Sequence, residues 1–198
     1  HNRTKRDYVG RVIDADKAEC ATIARQWGKD YWDGDRKYGY GGYRYDGRLS
    51  VVAEAMIKKY GLTDSSSILD VGCGKGFLLY ELKKLLPGAK VRGVDISAYG
   101  IENSKEEIRD CLSIGNANRL EFEDNSFDFI YSITTLHNLF NFELKSAIQE
   151  IQRVSRKHSY IAVESYRNER EKANLLYWQL TCQSFFSVEE WIWLYKEY

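Results

Sequence analysis

The chain has 198 residues, with 29 basic and 29 acidic side chains, a formal charge of zero and a hydrophobic fraction of 43%. That size suits one domain, or one domain with a lid, able to bury about 70% of its unfolded surface without staples. Zero net charge excludes a broad electrostatic footprint for nucleic acid or an anionic membrane, and the four cysteines at 20, 73, 111 and 182 have no paired spacing for a metal or a disulfide framework.

Asp16-Lys17-Ala18-Glu19 reads as a capping box, after which Cys20, Ile23, Ala24 and Trp27 fall on one helical face that ends by Gly28. Residues 29–47 carry tyrosines and glycines in place of aliphatics, the composition of a functional loop. Arg48–Tyr60 reads as a second helix stopped by Gly61. Residues 1–62 are therefore expected to form a helical lid segment, and residues 63–198 a ligand-binding domain.

From Ser67 the pattern alternates. Strand 67–71 precedes a helix from Lys75 to Pro87-Gly88, strand 90–95 precedes a helix running from Ser97 to Asp110, and strands follow at 111–115 and 127–133. A helix carrying Leu144, Ala147, Ile148 and Ile151 leads to strand 159–164, with His158 in the loop before it. A second capping box, Ser187-Val188-Glu189-Glu190, opens an aromatic helix with Trp191 and Trp193. Alternation of this kind predicts a parallel sheet with right-handed crossovers, binding its ligand at the carboxyl ends of the strands.

The chemistry concentrates in Asp70-Val71-Gly72-Cys73-Gly74-Lys75-Gly76-Phe77, an acid and three alternating glycines between a strand and a helix. Such a turn lets a ligand lie almost on the backbone. The dinucleotide fingerprint would place its third glycine where Phe77 stands. Asp70 would also repel a pyrophosphate and attract a ligand bearing an ammonium.

This segment resembles the first motif of the class I S-adenosylmethionine (SAM)-dependent methyltransferases, and three more segments follow in register. Val91 to Ser97 resembles their second strand, Gly115-Asn116-Ala117-Asn118-Arg119-Leu120 their adenine-edge loop, and Ile130 to Leu139 the strand and turn under the transfer site. The resemblance covers Ser67 to Ser165. It implies an α/β, Rossmann-like fold with a mostly parallel central sheet flanked by helices, and a SAM cofactor leaving as S-adenosylhomocysteine (SAH).

Residue by residue, it implies that Gly72, Cys73, Gly74 and Gly76 cradle the methionine portion of SAM and that Asp95 accepts the ribose hydroxyls. Asp70 either anchors the ammonium or fixes the loop through backbone N–H groups. Ile96 covers the adenine face, Ala117 lies in the adenine-edge loop, and Ser132 lies in the floor. Asn116 stands where the family commonly has an aspartate facing the adenine amino group. His137 is a general base or acceptor-orienting group, or else a cap on the turn after the strand. Tyr40 and Tyr43 belong to a lid over the cofactor, Tyr40 facing the methyl and Arg44 meeting a carboxylate. The alternative is a tyrosine segment packed against the sheet.

The family closes with two further strands that this sequence lacks, so residues are expected to be missing at the end. His1 in place of Met reads as a tag or processing remnant. The partners expected are a small-molecule acceptor and, through the aromatic last helix, a second copy in a homodimer, with no nucleic acid and no membrane. The cysteine pattern and the lack of a signal peptide or membrane span fit the cytoplasm. The rivals are a nicotinamide-dependent oxidoreductase, a SAM-binding interaction module without turnover, and an RNA or protein methyltransferase using the basic clusters at 153–158 and 167–172.

Overall fold

The computed structural model describes residues 6–198, so the reading of His1 lies outside them. In chain order the elements are α1 (Gly10–Ile13), α2 (Lys17–Ala24), α3 (Lys29–Asp33), α4 (Ser50–Tyr60), β1 (Ser67–Val71), α5 (Phe77–Leu85), β2 (Lys90–Asp95), α6 (Ala98–Glu102), α7 (Glu106–Arg109), β3 (Leu112–Ile114), β4 (Phe127–Ile133), α8 (Asn141–Val154), β5 (Ser155–Ala162), α9 (Glu169–Trp178) and α10 (Val188–Glu197). The five strands form one sheet in the order β3-β2-β1-β4-β5, every pair parallel.

Strand alternation splits the interior into two layers. Ile68 of β1 and Phe129 and Tyr131 of β4 pack with Leu79 and Leu82 of α5 and with Met56 of α4. Leu69, Val71 and Ile130 face the other way, against Leu144, Ile148 and Ile151 of α8 and Trp191 of α10. Both helix-covered faces are apolar, which is why the central strands read as near-continuous hydrophobic runs.

The direction of winding fixes where a ligand goes. The chain builds outward from β1 to β3, then returns to lay β4 on the opposite side of β1. The carboxyl ends of β1 and β4 therefore flank the crevice at which doubly wound sheets bind ligands.

Several boundaries differ from the sequence reading, each for a local reason. Asp16 caps α2 as expected, accepting from the Ala18 and Glu19 N–H groups, but the helix stops before the left-handed Trp27 at φ 52°. The single helix expected from Ser97 to Asp110 is two short ones. The break lets Ile108 descend onto Gly76, where an added Cβ would meet Ile108 Cδ1 at 2.5 Å. Strand β5 begins at Ser155, directly after α8, and a bulge opposite Phe127 and Phe129 brings His158 into the strand. The loop expected at 29–47 contains the single turn α3, and α9, capped by Asn168, is an element the sequence pattern does not announce. No helix among the described residues is long and apolar enough to cross a membrane.

Candidate functional site

A cavity of about 360 Å3 opens at the carboxyl ends of β1, β2 and β4. Asp70, at the end of β1, is buried in its wall beside the Tyr131 hydroxyl, which has no hydrogen-bond partner among the described residues. Burial, reinforced by the charge of Asp95, pushes the Asp70 carboxyl up to about 8.

Asp95, at the end of β2, spends one lone pair of each oxygen on the protein. Its Oδ2 accepts from the Gly74 N–H at 2.7 Å and its Oδ1 from the Ser97 N–H at 2.8 Å. The carboxylate thus pins the glycine loop to the neighbouring strand while its remaining lone pairs stay open. Burial raises its pKa and these backbone bonds work against the rise.

The glycines are required by φ and by close approach alike. Gly72 and Gly74 sit at φ 83° and 54°, a region that side chains disfavour. A Cβ on Gly72 would lie 2.0 Å from Thr135 Oγ1, and one on Gly74 would lie 2.5 Å from the Trp32 ring. The space a side chain would take is filled by this protein's own Thr135 and Trp32, so the N-terminal segment lies down on the glycine loop. Trp32 is held there by its indole N–H, which donates to Ser97 Oγ at 2.8 Å and to the Trp27 carbonyl at 3.1 Å. Its ring stacks on Tyr40 with centroids 5.3 Å apart.

A clamp secures the same segment. The Lys75 ammonium, inside the glycine motif and only 4% exposed, donates to both oxygens of Asp33 and to the Tyr43 carbonyl. Asp33 also accepts from the Tyr43 N–H and the Tyr99 hydroxyl. Sequence reasoning missed Trp32, Asp33, Lys75 and Thr135. A lone lysine inside a glycine motif was the available signal, since burying it requires an acid from elsewhere in the chain.

The expected site residues divide among three places. Asp70, Gly72, Cys73, Gly74, Asp95, Ile96, Asn116, Ala117, Tyr40 and Tyr43 all line the first cavity. Ile96 is 49% exposed on its wall, an apolar surface left open where a flat ring could lie. The Asn116 side-chain Oδ1 already accepts from the Asn118 N–H at 3.1 Å, leaving one lone pair. Arg44 and His137 line a second cavity of about 590 Å3, which shares Tyr40, Tyr43 and Thr134 with the first. Gly76 and Ser132 line neither. Gly76 lies under Ile108, and the Ser132 hydroxyl donates to the Val71 carbonyl at 2.8 Å, tying β4 to β1.

His137 is buried, and its Nδ1 accepts from the Glu164 N–H at 3.4 Å. That bond leaves the proton on Nε2, so the ring offers a donor to the second cavity. Burial lowers its pKa, against the opposing charge of Glu164, and keeps it neutral near pH 7.

The donor set of the first cavity fits a cationic ligand. Asp70, Asp95 and Glu143 share the wall with a single arginine, Arg25, and with aromatic rings that include Tyr31, Trp32, Tyr40 and Tyr43. Carboxylates and ring faces attract a cation, whereas a pyrophosphate would meet repulsion from the carboxylate of Asp95.

Comparison with known proteins agrees with this geometry. A family model described as a methyltransferase domain matches residues 62–196. A sterol 24-C-methyltransferase of Gibberella zeae is 33% identical over 121 residues, covering 57% of this chain and 31% of the relative. A demethylmenaquinone methyltransferase of Staphylococcus aureus is 33% identical over 109 residues, covering 52% of this chain and 44% of the relative. The chain thus spans less than half the length of these curated relatives.

Solved structures share the fold. The YcgJ protein of Bacillus subtilis superposes with a TM-score of 0.61 at 21% identity, covering 73% of this chain and 66% of that one. The PH0226 protein of Pyrococcus horikoshii gives 0.60 at 19% identity, covering 86% of both chains. With the sheet order, the acidic cavity at the switch point and a family model over most of its length, the chain belongs to the class I SAM-dependent methyltransferases.

Proposed function

We propose that this chain transfers the methyl group of SAM to a small-molecule acceptor and releases SAH. The observation that carries the reading is an acidic, aromatic cavity joined to a second cavity across Tyr40 and Tyr43. Relatives named for a sterol and for demethylmenaquinone support a small-molecule acceptor.

When bound, SAM supplies an electrophilic methyl group on a sulfonium. On this reading Asp95 accepts the ribose hydroxyls with the lone pairs left by Gly74 and Ser97, and Asp70 holds the ammonium. Ile96 covers one adenine face, with Asn116 and Ala117 at the ring edge. Tyr40 and Tyr43 stand between the cavities and hold donor and acceptor in line, while the closed segment around Trp32 excludes water. His137 orients the acceptor through its Nε2–H rather than taking a proton, because its Nδ1 is already engaged. Ile192 and Trp193, exposed on α10, support a homodimer, which light scattering would detect as twice the chain mass.

Calorimetry with SAM, SAH and NAD tests the reading. Both sulfur ligands are expected to bind at micromolar Kd and NAD not at all. Asp95→Ala removes hydrogen bonds to a charged acceptor, each worth roughly 1.5–3 kcal/mol, and is expected to weaken SAH about 100-fold. A folded wild-type protein that binds neither sulfur ligand would overturn the proposal.

A further inference from the structure

The second cavity carries positive charge that methyl transfer itself does not use. Arg6, Arg11, Arg36, Arg44 and Arg48 line it, against Asp46 and Glu164. Asp46 is taken by Arg48, and Glu164 accepts from the Gln179 side-chain amide. Among the described residues, Arg6, Arg11, Arg36 and Arg44 have no carboxylate at ion-pair distance.

Three of these side chains converge on one ring. The guanidinium carbons of Arg6, Arg11 and Arg36 lie 4.5, 5.0 and 5.1 Å from the centre of Trp178. Their mutual repulsion therefore acts over distances no longer than the screening length, about 10 Å in 0.1 M salt. The cluster is also held in place. Arg11 donates to the Arg36 carbonyl at 2.8 Å, and Arg36 donates to the Gly39 carbonyl. Arg11 Nε is buried with no partner at all among the described residues. Burial and the neighbouring charge of Arg36 lower the Arg11 pKa, the mark of a cation lacking its counter-ion.

Contact with a single indole offsets only part of this repulsion, since one ring face is shared among three cations. An oxyanion would remove the rest, because guanidinium forks match carboxylate and phosphate oxygens in pairs.

We propose that Arg6, Arg11 and Arg36 around Trp178 form a subsite for an oxyanion, and that the methyl acceptor carries it as a carboxylate or phosphate. The assignment to the acceptor rests on the proposed methyltransferase reading; the anion subsite itself does not. The acceptor's anionic end docks at Trp178 while its other end reaches the shared wall at Tyr40. The competing role for the cluster is structural, a staple between α1 and α9.

The test titrates the whole chain with benzoate, phenyl phosphate and inorganic phosphate, using chloride at matched ionic strength as control. Binding is read by calorimetry and by the change in Tm. At least one probe is expected to bind beyond chloride, and the preference between benzoate and phenyl phosphate identifies the oxyanion. R11M combined with R36M should weaken that probe at least tenfold while the Kd for SAH stays within twofold. R170M, an exposed arginine elsewhere, should change neither. Should the double variant fail to fold, R36K keeps the charge but loses the planar fork, and is expected to weaken binding several-fold.

A staple predicts the reverse: lower Tm in the variants and no anion binding by the wild type. No probe binding by a protein that binds SAH, or unchanged binding in either variant, would overturn the subsite. Anion binding without SAH binding would leave the subsite standing and sink the methyltransferase reading.

Discussion

Asp70→Asn is expected to make the ligand-free protein more stable and SAH binding weaker. In the free protein this carboxyl is buried without a cationic partner and titrates at about 8, against 3.8 for the ordinary group. A pKa raised by folding contributes stability that is complete below 3.8 and is lost as pH rises through about 8. A tenfold change in an acid's ionisation constant corresponds to about 1.4 kcal/mol. Replacing the acid with its neutral isostere is therefore expected to add about 2–4 kcal/mol at pH 8, or ~5–10 °C in Tm.

On the proposed reading, the raised pKa is also expected to make SAH binding pH-dependent. An ammonium entering the site needs the carboxylate, so below about pH 8 binding must expel a proton from Asp70. Affinity for SAH should rise up to about tenfold per pH unit between roughly pH 5.5 and 7.5, with about one proton released, read by calorimetry in buffers of different ionisation enthalpy. In Asp70→Asn the slope and the released proton should vanish, and affinity should fall about 10–100-fold. If the variant instead loses stability and keeps the wild-type slope, Asp70 holds the loop and is not the ammonium partner.

How much of this was legible in the sequence depends on the range over which each feature is determined. The Asp70-to-Phe77 loop could be read because its φ values and close approaches are local demands that only glycine meets, and β1, β2 and β4 because apolar runs are local too. The occupants of the space over the loop could not be read. Trp32 and Gly74 are remote in sequence, and neither signals the other without the fold. Residues 29–47 stood out by composition, yet the contact that holds them, Asp33 with Lys75, is a long-range ion pair that leaves no periodic trace. The arginine cluster was invisible for the same reason: Arg6, Arg11 and Arg36 lie more than 140 residues before Trp178 and meet it only in the fold. His137 was found by motif, but its tautomer depends on the Glu164 backbone, which only the fold supplies.

Breaking that long-range ion pair has the second large expected effect. Asp33→Ala would leave the Lys75 ammonium buried with the Tyr43 carbonyl as its sole acceptor among those it now has. Orphaning a buried charge in this way is expected to cost about 3 kcal/mol in unfolding experiments. It would also release the Tyr99 hydroxyl and leave the Tyr43 N–H with the Trp32 carbonyl as its acceptor, loosening the segment that brings Trp32 and Tyr40 over the first cavity.

SAH should therefore dissociate at least tenfold faster, and protease should cut within residues 34–42 in the variant before the wild type. Adding Lys75→Met separates the two effects, because an apolar residue replacing a buried ion often restores stability. Recovery of stability without recovery of SAH affinity would show that the clamp positions the lid. Recovery of both would reduce it to a local electrostatic need of Lys75.

The clamp and Asp70 should also part company with pH. Burial alone would raise the Asp33 carboxyl, but the bonds from Lys75 and Tyr99 hold it below its ordinary value. A depressed acid contributes stability that is present above 3.8 and fails only as pH falls through the folded value. The clamp thus stays closed across the whole range in which Asp70 titrates. The pH dependence of SAH binding near neutrality should accordingly survive Asp33→Ala, with a lower absolute affinity, and disappear only in Asp70→Asn.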